Sequence, residues 1–189
     1  MTAGLEKELK QRGLFWNGHV RRWHLLEHLI AKNGWTIGAE LGIFKGETYL
    51  YLMENCPGLT LYGVDLWKEQ PDVIGQEYNV GRDFVGFLKN IRTQTAGNAG
   101  ARIIQDYTVA GADQVEDSSL DFVFIDADHS REAVRADIMA WQPKLKPGGC
   151  MTGHDIHMDG VRDAVAEFYP TYTKHLDNCW MQDGHTAKI

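Results

Sequence analysis

Acids and histidines recur at the ends of short apolar runs in this chain. Glu40 leads into Leu41-Gly42, Asp65 follows LTLYGV, Gln105-Asp106 follows ARII, Asp126 to His129 follow LDFVFI, and His154-Asp155 follow CMTG. Carboxylates and imidazoles are the side chains that bind hydroxyls, amines and hard cations, or move protons near neutral pH. An acid after a strand often does no more than cap the next helix. That role suits any one of these positions better than all five together.

The segment GIFKGET follows the first acid. Gly42 and Gly46 allow close backbone approach, and the helix that begins nearby offers free N–H groups to an anion. The spacing is not that of a dinucleotide site, which would want glycines at Gly42, Phe44 and Glu47. Phe44 and Glu47 would obstruct a pyrophosphate, and Glu47 would repel it. Asp65 lies 23 residues beyond Gly42, where an acid can accept both hydroxyls of a ribose, and Trp67 could cover an adenine face. Adenosine is favoured and a pyrophosphate is not. Asp126 and Asp155 end adjacent elements and could share one divalent cation, with Asp128 and His154 as nearby substitutes. Without a metal, clustered carboxylates should raise one another's pKa.

Elements that position these residues are legible in the pattern. Residues 4–32 read as a helix, with Val20, Trp23, Leu26 and Ile30 at helical spacing and Asn33-Gly34 as the stop. Trp35 to Leu41 reads as extended, Thr48 onward as a helix ending at Pro57-Gly58, and Leu59 to Leu66 as a second strand. Phe84, Phe87, Leu88 and Ile91 mark a helix, Ala101 to Gln105 a third strand and Leu120 to Asp126 a fourth, both strands apolar on both faces. Ser130 caps a helix bearing Val134, Ile138 and Trp141, Pro147-Gly148-Gly149 turns into a fifth strand, and VRDAVAEFY is a last helix. The tail from Tyr172 reads as two strands joined at Asp183-Gly184. Apolar strands alternating with helices call for a doubly wound, mostly parallel seven-stranded α/β sheet (Rossmann-like) with an antiparallel C-terminal edge hairpin. Ligands of such sheets bind outside the carboxyl ends of the strands.

The 189 residues fit one domain. The expected division is an N-terminal helical arm over 1–34, acting as substrate cap or dimer contact, and a ligand-binding domain over 35–189. Nineteen Lys and Arg against twenty-six Asp and Glu give a net charge of −7, with the excess of bases confined to the arm. That balance argues against a nucleic-acid or anionic-membrane partner. Three cysteines are too few for a disulfide framework, and no apolar run approaches the roughly 20 residues of a membrane span. A cytoplasmic protein is expected.

AELGIFKGET, LYGVDLW and DFVFIDADHSREAVRADIMAWQPKLKPGGCMTGHD together resemble a class I S-adenosylmethionine-dependent methyltransferase. More narrowly the chain resembles the methyltransferase domain 24 type, related to catechol, caffeoyl-coenzyme-A and macrolide-sugar O-methyltransferases. The resemblance covers about residues 35–182, and FIDADHS followed by LKPGG and GHD is its most specific part. It implies that Glu40 and Gly42 line the methionine moiety of the cofactor, with Phe44, Gly46 and Thr48 around its carboxylate. Asp65 would bind the ribose, Leu66 and Trp67 would lie beside the adenine, and Asp106 and Tyr107 would border it from the other side. Asp126 would sit where cofactor and metal meet. The metal-dependent relatives carry two acids or Asp-Asn where this chain has His154-Asp155. Either Asp126, His154 and Asp155 hold a divalent ion (magnesium or manganese, with His154 favouring a softer cation than magnesium) or the site is metal-free.

The implied reaction is O-methylation of a small hydroxylated acceptor, a sugar or a phenol. His129 is the first choice of base and His154 the second. The stretch from Trp67 to Arg82, with Trp16, His19, Arg21, Arg22 and Trp23 of the arm, could cover the acceptor. A homodimer through the N-terminal helix is the expected assembly. Three alternatives compete: an inactive module that binds an adenosine ligand, a nucleotide-dependent oxidoreductase, and a nucleic-acid methyltransferase, the last weakened by the net charge of −7.

Overall fold

The computed structural model describes residues 2–69 and 81–183. Its frame is set by alternation along the strands. In β4 (Leu120–Ile125), Phe122 and Phe124 face one side of the sheet and Val123 and Ile125 the other, and all four are buried. A strand apolar on both faces needs cover on both, so helices occupy each side. On one side α2 (Arg22–Asn33), α3 (Glu47–Asn55) and α4 (Phe84–Gln94) pack Leu26, Leu52 and Ile91 against Phe122 and Phe124. On the other, α6 (Arg131–Trp141) and α7 (Asp159–Phe168) pack Ile138, Trp141 and Val165 against Val123 and Ile125.

The sheet has seven strands in the order β3-β2-β1-β4-β5-β7-β6. Strands β1 (Ile37–Leu41), β2 (Thr60–Asp65), β3 (Ala101–Gln105), β4 and β5 (Leu145–Gly153) run parallel. Strand β7 (Trp180–Gln182) is antiparallel to β5 and pairs with β6 (Tyr172–Lys174) as a hairpin. The order reverses between β1 and β4, which opens a crevice at their carboxyl ends.

Gly38 of β1 lets the ring of Phe122 lie directly on the neighbouring strand; a Cβ there would meet the ring at 2.3 Å. Trp35 stacks on the same ring with centroids 5.1 Å apart. Phe122→Ala is therefore expected to cost about 3–5 kcal/mol of stability, read as a lower urea midpoint at unchanged slope.

Three local expectations are corrected. Residues 4–32 are not one helix. The first helix, α1, ends early (Thr2–Gln11), and α2 starts only at Arg22. Between them Gly13, Asn17 and Gly18 take positive φ (79°, 46° and 79°), and Trp16 pairs with His19 across the Asn17-Gly18 turn. The apolar period from Val20 to Ile30 survives as α2 and its approach, but Asn-Gly favours a tight turn over a continuous helix. The C-terminal hairpin turns at Asp177-Asn178, both at positive φ (52° and 54°), upstream of the expected Asp183-Gly184. Asp and Asn tolerate that backbone region; Gly184 lies outside the described residues. Strand β3 is an edge strand with Arg102 exposed, so it is not apolar on both faces.

The long stretch expected after Trp67 lies largely outside the described residues, at 70–80. A short helix unmarked in the sequence pattern, α5 (Thr108–Gly111), follows β3. Among the described residues no helix is long and apolar enough to cross a membrane, and Cys56, Cys150 and Cys179 are buried and free.

Candidate functional site

A cavity of about 620 Å³ opens at the carboxyl ends of β1 to β4, the size of a small-ligand site. Its floor is built by close backbone approach. Gly42 has φ 88°, and a Cβ there would meet the Asp126 carbonyl oxygen at 2.2 Å, so only glycine lets the ends of β1 and β4 touch. Gly46 also has positive φ, starts α3 and lies under Ile91, away from the cavity lining.

Glu40 lines the cavity from β1 and is buried, with its Oε2 unpartnered among the described residues. Burial holds this carboxyl well above the usual range, and the Asp126 carboxylate adds to the effect. Asp65 is fixed at the end of β2 by three backbone N–H groups, those of Ile43 (2.9 Å), Phe44 (2.8 Å) and Trp67 (2.7 Å). Leu66, Asp106 and Tyr107 line the same wall. Trp67 does not. Its indole is buried and donates to the Phe44 carbonyl (2.9 Å), so the ring is core rather than cover for a planar ligand. Phe44 lines the cavity at φ 49°, braced edge-on by Phe84 and Phe87.

Across the cavity stands a charged network. Asp126 Oδ2 pairs with Arg22 Nε at 3.0 Å, and its Oδ1 lies 3.5 Å from His154 Nδ1. The same His154 nitrogen is 3.1 Å from Asp155 Oδ2, which also meets His129 Nε2 at 3.0 Å. Arg22 Nε additionally donates to the Thr48 hydroxyl (3.0 Å), and the backbone N–H of Arg22 donates to Asp177 (2.7 Å). The Asp155 bond holds a proton on His129 and raises its pKa, against the effect of burial. Burial alone would lower His154, but its contacts with Asp126 and Asp155 push it up to about 9. Asp155, which burial would raise, is instead held far below the usual carboxylate range by the two histidines.

The structure brings Glu40, Gly42, Phe44, Thr48, Asp65, Leu66, Asp106, Tyr107, Asp126 and His129 to one cavity, and leaves Gly46 and Trp67 beneath it. His154 and Asp155 stand behind Asp126 and His129. Arg22, expected only as part of a covering cluster, lines the cavity itself. Asp137 of α6 and Asp177 of the hairpin were not anticipated. Asp177 sits in a tail that read only as strands, and Asp137 on a helix whose visible signal was its apolar stripe.

These residues fit an adenosyl cofactor with a cationic amino acid end. Glu40 offers a buried, unpartnered oxygen to an ammonium, Gly42 keeps the floor open, and Asp65 presents a fixed carboxylate. They also fit a divalent ion: Asp126, His154 and Asp155 offer one ligand atom each, all within 4.8 Å of one another. A nitrogen with two carboxylates suits manganese or a softer ion better than magnesium.

A family model described as a methyltransferase domain matches residues 39–156, from β1 to just past β5 and so across every strand end above. Among solved structures, the O-methyltransferase NovP aligns at TM-score 0.66 with 14% identity, over 86% of this chain and 79% of that one. A candidate caffeoyl-CoA O-methyltransferase from Staphylococcus aureus aligns at 0.62 with 16% identity, over 84% and 80%. An O-methyltransferase from Bacillus cereus in complex with S-adenosylhomocysteine aligns at 0.59 with 14% identity, over 93% and 86%. At these identities the likeness shows a shared fold. No curated protein matches the sequence.

Proposed function

The chain belongs to the methyltransferase domain family, matched over residues 39–156, and from that premise we propose that it methylates an oxygen of a small hydroxylated acceptor, a sugar or a phenol, using S-adenosylmethionine. The observation that carries the reading is the placement of His129. It lines the cavity that also holds Glu40 and Asp65, with Nε2 engaged by Asp155 at 3.0 Å. When bound, the cofactor supplies a methyl group already activated on a sulfonium.

The protein's own part is to hold, align and deprotonate. Glu40 takes the cofactor's amino group, Asp65 its ribose hydroxyls, and the wall from Asp106 to Thr108 its adenine. With the Nε2 proton donated to Asp155, His129 keeps a lone pair on Nδ1 and accepts the acceptor's hydroxyl proton as the oxygen gains the methyl. A divalent ion on Asp126, His154 and Asp155, when bound, would lower the pKa of that hydroxyl and fix its direction. Arg22 places a guanidinium from the N-terminal arm against Asp126, which supports the arm over 1–34 as a cap on the acceptor side. Phe15 and Trp16 there are exposed apolar surface suited to a planar acceptor or a sugar face.

Calorimetric titration with S-adenosylhomocysteine tests the cofactor, with and without manganese or magnesium and with NAD as control. Binding in the micromolar range is expected, about −8 kcal/mol at 1 μM, and none for NAD. Tight S-adenosylhomocysteine binding without turnover on any hydroxylated acceptor would leave an adenosine-binding module instead. NAD binding would leave an oxidoreductase.

A further inference from the structure

The N-terminal arm touches the cavity through Arg22, and it does so on a carboxylate that belongs to the candidate metal ligands. Arg22 lines the cavity with its side chain 17% exposed, and its Nε lies 3.0 Å from both Asp126 Oδ2 and the Thr48 hydroxyl. Nε carries one hydrogen, so a single N–H is divided between two acceptors. Among the described residues the terminal nitrogens have one ion partner, Glu47, 3.6 Å from Nη2 and itself 64% exposed. Arg22 therefore does not grip Asp126 with the two-pronged fork of a strong arginine–carboxylate pair.

The carboxylate is divided in the same way. Asp126 Oδ1 stands 3.5 Å from His154 Nδ1, and Asp126, His154 and Asp155 each offer one ligand atom within 4.8 Å of the others. His154 Nε2 lies 3.8 Å from Asp177, the acid that accepts the Arg22 backbone N–H (2.7 Å) and meets Arg21 Nη1 at 3.5 Å. His154 thus sits between two acids, and each of them holds an arginine of the arm. A guanidinium fixed 3.0 Å from Asp126 repels a dication that needs the same carboxylate, and a partly buried site screens that repulsion poorly. The coupling is reciprocal: a carboxylate drawn to an ion loosens its hold on the guanidinium.

We propose that Arg22 and a divalent ion compete for Asp126, so that ion binding and closure of the N-terminal arm oppose one another. This rests on the divalent-ion part of the reading above and not on the cofactor. Without an ion, Asp126 and Asp177 hold Arg22 and Arg21, and the stretch between α1 and α2 is pinned at the cavity. With an ion, Asp126 is drawn away, the guanidinium is released, and that stretch opens more readily. Helix α2 itself stays in place, because Leu25, Leu26 and Leu29 are buried in the core.

The test is calorimetric titration of manganese alone into wild type, Arg22→Gln, Arg22→Lys and Lys45→Gln, with amide hydrogen exchange followed over residues 12–21. Arg22→Gln should bind manganese about 10- to 100-fold more tightly than wild type. Arg22→Lys keeps the positive charge and should stay within about threefold of wild type. Lys45 lines the same cavity but lies over the rings of Phe44 and Phe87. Lys45→Gln should also stay within about threefold, which separates competition for Asp126 from the loss of any one charge. Saturating manganese should speed exchange over 12–21 about tenfold in wild type. It should leave Arg22→Gln unchanged, because the segment is already loose there. The wild-type exchange measurement needs no substitution, so it decides the matter even where a variant fails to fold. Equal manganese affinity in wild type and Arg22→Gln, or wild-type exchange indifferent to saturating manganese, would overturn the inference. Absence of manganese binding in every variant would overturn it too and remove the ion from the site. S-adenosylhomocysteine binding, and with it the cofactor assignment, would stand apart from all of these results.

Discussion

Asp126→Ala is expected to lower kcat/KM by at least about 10³-fold, effectively abolishing turnover. Asp126 joins two halves of the site. One oxygen holds Arg22 from the N-terminal arm at 3.0 Å and the other faces His154 at 3.5 Å. Its loss leaves a half-buried guanidinium and an imidazole that the carboxylate had helped to charge, so alignment and electrostatics fail together. Removing one preorganised electrostatic group commonly costs 10²–10³-fold, and here the ligand set for a divalent ion is lost as well. A stability cost of about 1–3 kcal/mol should accompany it, below that of a fully dry pair because these side chains keep some solvent contact. Asp126→Asn separates the effects: the amide keeps the shape and much of the stability but neither pairs with Arg22 nor ligates a cation well. Steady-state turnover with the best acceptor, set beside thermal melts of both variants, gives the reading. Near-normal activity in Asp126→Ala would remove this carboxylate from the chemistry.

The strand ends were legible because two simple signals coincide there: a short run apolar on both faces, then an acid. LDFVFID shows both, and Phe122, Val123, Phe124 and Ile125 are buried as the run implies, with Asp126 at the cavity. Gly42 was legible for the same reason, since a glycine after a strand marks close approach, and a Cβ there would strike the Asp126 carbonyl oxygen. What composition could not show was direction. Trp67 follows Asp65 as an adenine-covering ring would, yet its indole turns inward to the Phe44 carbonyl. Arg22 belongs to an arm whose spacing suggested one long helix. Only the turn at Asn17-Gly18, and the Asp177 carboxylate that receives the Arg22 backbone N–H, bring its side chain over the cavity. Those two residues are 155 positions apart, and no local pattern joins them. Asp137 was hidden because a polar residue on an amphipathic helix is ordinarily solvent-facing, whereas here α5 covers that face.

His129→Ala is expected to reduce kcat by about 10²–10⁴-fold while leaving the affinity for S-adenosylhomocysteine within a few-fold of wild type. The separation follows from position. His129 touches the cavity on the side of Asp126 and Asp155, whereas Glu40, Asp65 and Asp106 hold the other parts of the wall. Exogenous imidazole should restore part of the lost rate, because the deletion leaves a void beside Asp155 that can orient a free imidazole through the same bond. His154→Ala makes the contrast. His154 does not line the cavity, and it lies between Asp126 and Asp155. Its removal should therefore weaken divalent-ion binding and unsettle both carboxylates, without any rescue by imidazole as a base. If His154→Ala were the variant rescued, or if His129→Ala kept its rate, the base would be misassigned. The acceptor proton would then leave by His154, or by an acidified hydroxyl on the Asp126–Asp155 side that needs no imidazole at all.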